Sequence, residues 1–204
     1  TSRDSAVGVY AADFGGRGTI DVVFTQKTSK DELPLAGMAP LGHEIYTLAL
    51  KFPTYGSFAN ATMEQLFGAA TLQKALHYQA DTFASVVLRN DGKGGFRMSP
   101  LPIMAQIAPI RAMAVHDVDG DGNLDLIVAG NLYDAEPNTP RADAGNGLWL
   151  RGDGHGHFIP VSPRESGLMA PLNVTGLALY KKPIGVGMFV ANAGDSLQTF
   201  RVRR

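Results

Sequence analysis

The chain repeats itself, and this constrains its fold more than any other feature. Leu88-Arg89-Asn90-Asp91-Gly92-Lys93-Gly94-Gly95-Phe96 returns as Leu150-Arg151-Gly152-Asp153-Gly154-His155-Gly156-His157-Phe158, every position shifted by 62. Each copy follows a short apolar run and ends on a Phe that begins another. Asp-Gly with further glycines supplies the positive φ angles of a tight hairpin. A second pair lies upstream: residues 7–23 match residues 111–127 at a shift of 104. Both read as an apolar strand, an Asp, a Gly-rich loop, then Asp and a β-branched run, Asp21-Val22-Val23-Phe24 and Asp125-Leu126-Ile127-Val128. Repeats of this kind bury their apolar faces by stacking on neighbours.

The two shifts differ by 42 (104 less 62), so the first unit carries an insertion of that size. Its texture is helical. Leu41, Ile45, Leu48, Ala49 and Phe52 recur at helical spacing, and Pro53 ends the run. Thr62 with Gln65 has the spacing of a capping box for a short helix through Phe67. Strands resume near residues 74–80. A weaker third unit starts near Val174, where Phe189-Val190-Ala191-Asn192 echoes Ile127-Val128-Ala129-Gly130-Asn131, and residues 197–202 supply its last strand. The expected fold is all-β with a small helical insertion. One region, 1–204, holds three units of about four strands: 6–102 (insertion about 40–68), 106–167 and 173–204.

The chemistry concentrates in Asp117-Val118-Asp119-Gly120-Asp121-Gly122-Asn123-Leu124-Asp125. Calcium takes about 6–8 oxygens at about 2.3–2.6 Å. Carboxylates at loop positions 1, 3, 5 and 9 repel one another without a cation, and Gly120 and Gly122 let the backbone curl until they converge. The expected ligands are Asp117, Asp119, Asp121 and Asp125, with the backbone carbonyl of Asn123; the Asn123 side chain is expected to point outward. The loop is not an EF-hand. Position 12 is Val128 rather than Glu, and an apolar strand follows where an EF-hand has a helix.

A calcium loop running straight into an apolar strand resembles the FG-GAP and VCBS repeats of integrin-like propellers. The stretch from His116 to Gly130 is similar to that repeat signature, and the hairpins at 89–92 and 151–154 resemble its end. Residues 52–62 resemble a segment of bacterial FG-GAP surface proteins grouped with ASPIC/UnbV domains. The resemblance implies a β-propeller, calcium in the loops and an extracytoplasmic setting (secreted, periplasmic or cell surface).

The corresponding first loop, Asp13-Phe14-Gly15-Gly16-Arg17-Gly18-Thr19-Ile20-Asp21, keeps only the end carboxylates. Gly15 stands for Asp119 and Arg17 for Asp121. Either Arg17 replaces the ion and pairs with Asp13 or Asp21, or it points into solvent.

Composition narrows the function classes. With 18 basic and 19 acidic residues and no basic run, electrostatics gives no case for nucleic acid. Without cysteine there are no disulfides or thiolate sites. No apolar run approaches the roughly 20 residues of a membrane helix. The tripeptide Arg151-Gly152-Asp153 aligns with Arg89-Asn90-Asp91 and is explained by the hairpin rather than by adhesion. His155 and His157 read as solvated rather than metal-binding. The glycosylation patterns at Asn60 and Asn173 carry little weight, Thr62 already serving as a cap. Trp149, Phe96 and Phe158 read as core or inter-blade packing.

No nucleophile or phosphate motif is present, and no catalytic or cofactor-binding residue is assigned. The expected function is a calcium-stabilised, non-catalytic binding or scaffold module for a protein or carbohydrate ligand. The alternatives are a piece of a propeller lyase or hydrolase acting on polysaccharide or another extracellular substrate, and a structural spacer. A convergence of His, Arg, Tyr or Glu on one blade face would raise the enzyme reading. Because propellers typically use about 4–8 blades, three units imply the remainder of a longer propeller, another chain or a second copy.

Overall fold

The computed structural model describes residues 6–135, 139–183 and 185–202. Thr1, where the chain begins, and Arg204, where the third expected unit ends, lie outside the described residues. The chain divides into two compact units, Thr1–Phe83 and Ala84–Arg204.

In the first unit, β1 (Val7–Ala12), β2 (Asp21–Lys27), β3 (Glu32–Pro34) and β4 (Leu76–Ala80) form an antiparallel sheet in the order β3-β2-β1-β4. Strand β2 alternates strictly. Asp21, Val23 and Thr25 are buried, while Val22, Phe24 and Gln26 are exposed, the period of a half-covered strand. Five short helices lie between β3 and β4: α1 (Met38–Glu44), α2 (Tyr46–Lys51), α3 (Tyr55–Ala59), α4 (Met63–Phe67) and α5 (Ala69–Lys74). They cover one face of the sheet. Leu41, Ile45, Leu48, Phe58 and Met63 pack with Tyr10 and Val23, each buried side chain contributing about 1.5–3 kcal/mol.

The capping box at Thr62 and Gln65 forms in both directions. Helix α2 ends at Lys51, before Pro53. The helical segment runs on to Lys74, past the expected end near 68. Gly68, at φ 80°, closes α4 and opens α5 in one residue.

In the second unit, β7 (Ala112–His116), β8 (Asp125–Ala129), β9 (Leu148–Gly152) and β10 (Phe158–Val161) form a four-stranded meander. Strand β8 is apolar on both sides because both its faces are covered. Leu126 and Val128 join Leu148 and Leu150 against Leu101 and Val87. Ile127 and Ala129 pack on Val174, Met188 and Val190. The last three belong to a three-stranded sheet of β11 (Val174–Lys181), β12 (Val186–Asn192) and β13 (Gln198–Val202). Val87 belongs to the hairpin β5 (Val86–Asn90) and β6 (Phe96–Pro100). Helix α6 (Pro163–Ser166) follows β10. Hairpin, meander and third sheet therefore pack on one another through β8.

The β5–β6 hairpin departs from the repeat pattern. Its sequence counterpart, β9–β10, extends the meander beyond β8, whereas β5–β6 is a two-stranded sheet of its own in the second compact unit. In the first sheet, β3 pairs with β2 where the counterpart of β9 would sit, and β4 pairs with the far side of β1. The described residues are thus mostly β, in four antiparallel sheets without a closed barrel.

Candidate metal centre

The acidic loop joins β7 to β8, whose register pairs His116 with Asp125. Gly120 (φ 84°) and Gly122 (φ 89°) make its bends in a backbone region that L side chains rarely adopt. Asp117 accepts from the amides of Gly120 at 2.7 Å and Gly122 at 3.3 Å. Asp125 opens β8 and is 0% exposed. Its two oxygens accept from Val118 N at 3.0 Å and Gly152 N at 2.8 Å, which ties the loop to β9. A Cβ at Gly152 would overlap the carbonyl oxygen of Leu124, which accounts for glycine here where the other repeat has Asn90.

One oxygen each from Asp117, Asp119 and Asp125 lies within 4.8 Å of the others. Oxygens on opposite sides of one calcium stand about 4.6–5.2 Å apart, so these three fit a single coordination shell. Two like charges about 4 Å apart cost about 4 kcal/mol at an effective dielectric constant of about 20. A positive charge near the cluster offsets that repulsion.

Asp121 is not among the three converging groups. Its carboxylate accepts from the Asn123 amide at 2.7 Å and from Asn123 Nδ2 at 3.2 Å, and the Asn123 side-chain oxygen lies against Gly154 of the β9–β10 turn.

Sequence reasoning missed Arg151, which supplies positive charge at this site. Its Nε lies 2.8 Å from Asp119 Oδ2, but off the hydrogen-bond axis and without a directed partner. The contact is an ion pair. The guanidinium also sits 5.0 Å over the Trp149 ring and 3.8 Å from Glu165. The signal lay in the sequence only as the Arg of an apparent adhesion tripeptide. That tripeptide is engaged internally, since Asp153 accepts from the amides of His155 at 2.7 Å and His157 at 3.0 Å and pairs with the His157 ring at 2.9 Å. Asp91 holds the other hairpin in the same way, from Lys93 N at 2.7 Å and Gly95 N at 2.9 Å.

The first loop has the same frame. The register pairs Ala12 with Asp21 as it pairs His116 with Asp125. Gly16 and Gly18 carry positive φ at the positions of Gly120 and Gly122. Asp13 accepts from the amides of Arg17 and Gly18, which hold its carboxyl below the usual range. Arg17 turns inward, and its Nη2 meets Asp21 Oδ1 at 2.7 Å. Phe14 of this loop rests on Phe67 of α4, with ring centroids 4.2 Å apart.

Of the remaining sequence signals, Asn173 is buried and accepts from Arg111 at 2.9 Å, so its side chain is not available to a glycan. Phe158 packs beside Leu150, whereas Phe96 is exposed. No helix is long and apolar enough to cross a membrane among the described residues. No family model, curated protein or solved structure matches the chain.

Proposed function

We propose that this chain is a calcium-stabilised, non-catalytic binding or scaffold module of a secreted or cell-surface protein built from FG-GAP/VCBS-type propeller blades. The observation that carries the reading is the convergence of Asp117, Asp119 and Asp125 at the turn into a strand buried on both faces. An ion there pins the β7–β8 turn, and Asp125 passes that constraint to β9 through Gly152. The packing of hairpin, meander and third sheet on one another supports blades. The role of the metal is structural: it offsets carboxylate repulsion that the apo loop must otherwise bear.

The exposed apolar face of the first sheet, with Val22, Phe24, Leu76 and Tyr78, supports a further blade, another chain or a second copy as its cover. The enzyme alternative draws on one observation, the meeting of Tyr10, Glu32 and His77 on the opposite face of that sheet.

The test is thermal unfolding of metal-stripped protein with and without millimolar calcium. A calcium-dependent rise in melting temperature, absent with magnesium at equal concentration, supports the reading. An unchanged melting temperature contradicts it.

A further inference from the structure

The first sheet carries a second polar centre, remote in sequence from the acidic loop and built on a glycine. Register places Gly8 opposite Thr25 on one side and Gln79 on the other, and Tyr10 opposite His77. Lys27 pairs with Glu32. All these side chains share the helix-covered face, but the helices reach only its Tyr10–Val23 end.

Beyond that end Gly8 makes room for the polar atoms of its neighbours. A Cβ there would fall 2.6 Å from Glu32 Oε1 and 3.4 Å from His77 Nε2, and would also overlap Thr25 Oγ1. Three strands thus deliver polar atoms to the space that one missing side chain opens. Glu32 is fixed from both sides. Thr25, 0% exposed, donates to Oε1 at 2.5 Å, and Tyr10 donates to Oε2 at 3.0 Å. His77 is held flat on Tyr10, with ring centroids 4.0 Å apart and planes within 7°. The Tyr10 hydroxyl is pushed up to about 12 by burial, then by its bond to Glu32 and that group's charge. Tyr10 therefore stays a donor to Glu32.

His77 Nε2 and Glu32 Oε1 stand 3.8 Å apart, too far for a hydrogen bond and suited to a shared hydroxyl. The next row of the same face, Ala6, Lys27, Gln79 and Asp81, lines an open cleft of about 400 Å³, within the roughly 300–1,000 Å³ of small-ligand sites.

The geometry points to a binding site for a neutral polyhydroxylated ligand, a sugar ring with vicinal hydroxyls, between Glu32, His77, Lys27, Gln79 and Asp81. The charge pattern selects this class. An anion meets Glu32 and Asp81, and a cation meets Lys27. A hydroxyl pair donates to the carboxylates while accepting from the ammonium, amide or imidazole. One hydroxyl sits between His77 and Glu32. The site deepens the reading of the chain as a binding module and rests on that reading, but not on the calcium loop.

The experiment is a backbone-amide NMR titration of the full chain in calcium with cellotetraose, maltotetraose, xylotetraose and mannotetraose, and with inorganic phosphate as the ionic control. At least one oligosaccharide is expected to shift Gly8, Thr25, Glu32, His77 and Gln79 together, and phosphate is not. Glu32→Gln and Lys27→Ala should each weaken that binding at least tenfold. Lys27→Ala removes an exposed side chain, so it tests the site even where Glu32→Gln disturbs folding. Silence across all four sugars, shifts outside the cleft, an equal response to phosphate, or undiminished binding by both variants overturns the proposal. Silence toward all four sugars in unaltered protein that keeps its calcium-induced stabilisation separates failure of this site from failure of the calcium reading.

Discussion

Arg17 and Asp21 meet at 2.7 Å at the loop positions that Asp121 and Asp125 hold in the second copy. The two loops share their strand register and the placement of their positive-φ glycines. Where one converges carboxylates, the other brings in its own cation. A side-chain guanidinium on a buried carboxylate does locally what a bound ion does, with no dependence on solution metal.

The first prediction follows from that exchange. Arg17→Ala leaves buried Asp21 with only the Gly15 amide, and should lower stability by about 1–2 kcal/mol, half-exposure of the arginine keeping the loss modest. The double change Gly15→Asp with Arg17→Asp restores acidic residues at loop positions 3 and 5. It should add a second calcium site, read as a doubled stoichiometry. A crystal of the unaltered protein soaked in a heavier calcium substitute should show anomalous density at the second loop and none between Asp13 and Asp21. Strong density at Asp13 would contradict the exchange.

The hairpins give a pH prediction. Burial works against the charge of Asp153, but the amides of His155 and His157 and the His157 ring outweigh it, lowering the carboxyl from 3.8 to about 2. A folded-state value below the unfolded one stabilises above the unfolded value and is lost as pH falls through the folded one. The contribution is therefore full above about pH 4 and fades toward pH 2. His157→Ala should raise the Asp153 midpoint in a carboxyl NMR titration and leave that of Asp91, held by the Lys93 and Gly95 amides, where it is. An unmoved Asp153 would show that the ring contributes nothing.

Much of this was legible in the sequence because short-range geometry decides it. The hairpins at 90–96 and 152–158, the Thr62–Gln65 box and the β7–β8 loop are set by glycine φ angles and neighbouring side chains. Long-range pairing was not legible. Nothing in residues 32–34 announces that they take the edge of β2, and so the hairpin of residues 86–100 was expected in the first unit. Arg151 escaped for the same reason, since only the register of β9 on β8 carries it to Asp119. The Gly8 centre draws on four strands, and no local pattern joins Glu32 to His77.

The bare face of the first sheet predicts behaviour in solution. Chain expressed alone should self-associate at micromolar concentration or bind a hydrophobic dye. Phe24→Glu with Leu76→Glu should suppress both, because the two side chains lie exposed on that face. A monomer of 21.7 kDa that binds no dye would show that the face needs no cover.

Calorimetric titration of metal-stripped protein with calcium counts the bound ions. One site is expected in the unaltered chain. Asp119→Ala should remove it by deleting one of the three converging oxygens, and Arg17→Ala should leave it intact. Absence of heat in the unaltered protein, or a site that survives Asp119→Ala, would contradict the account.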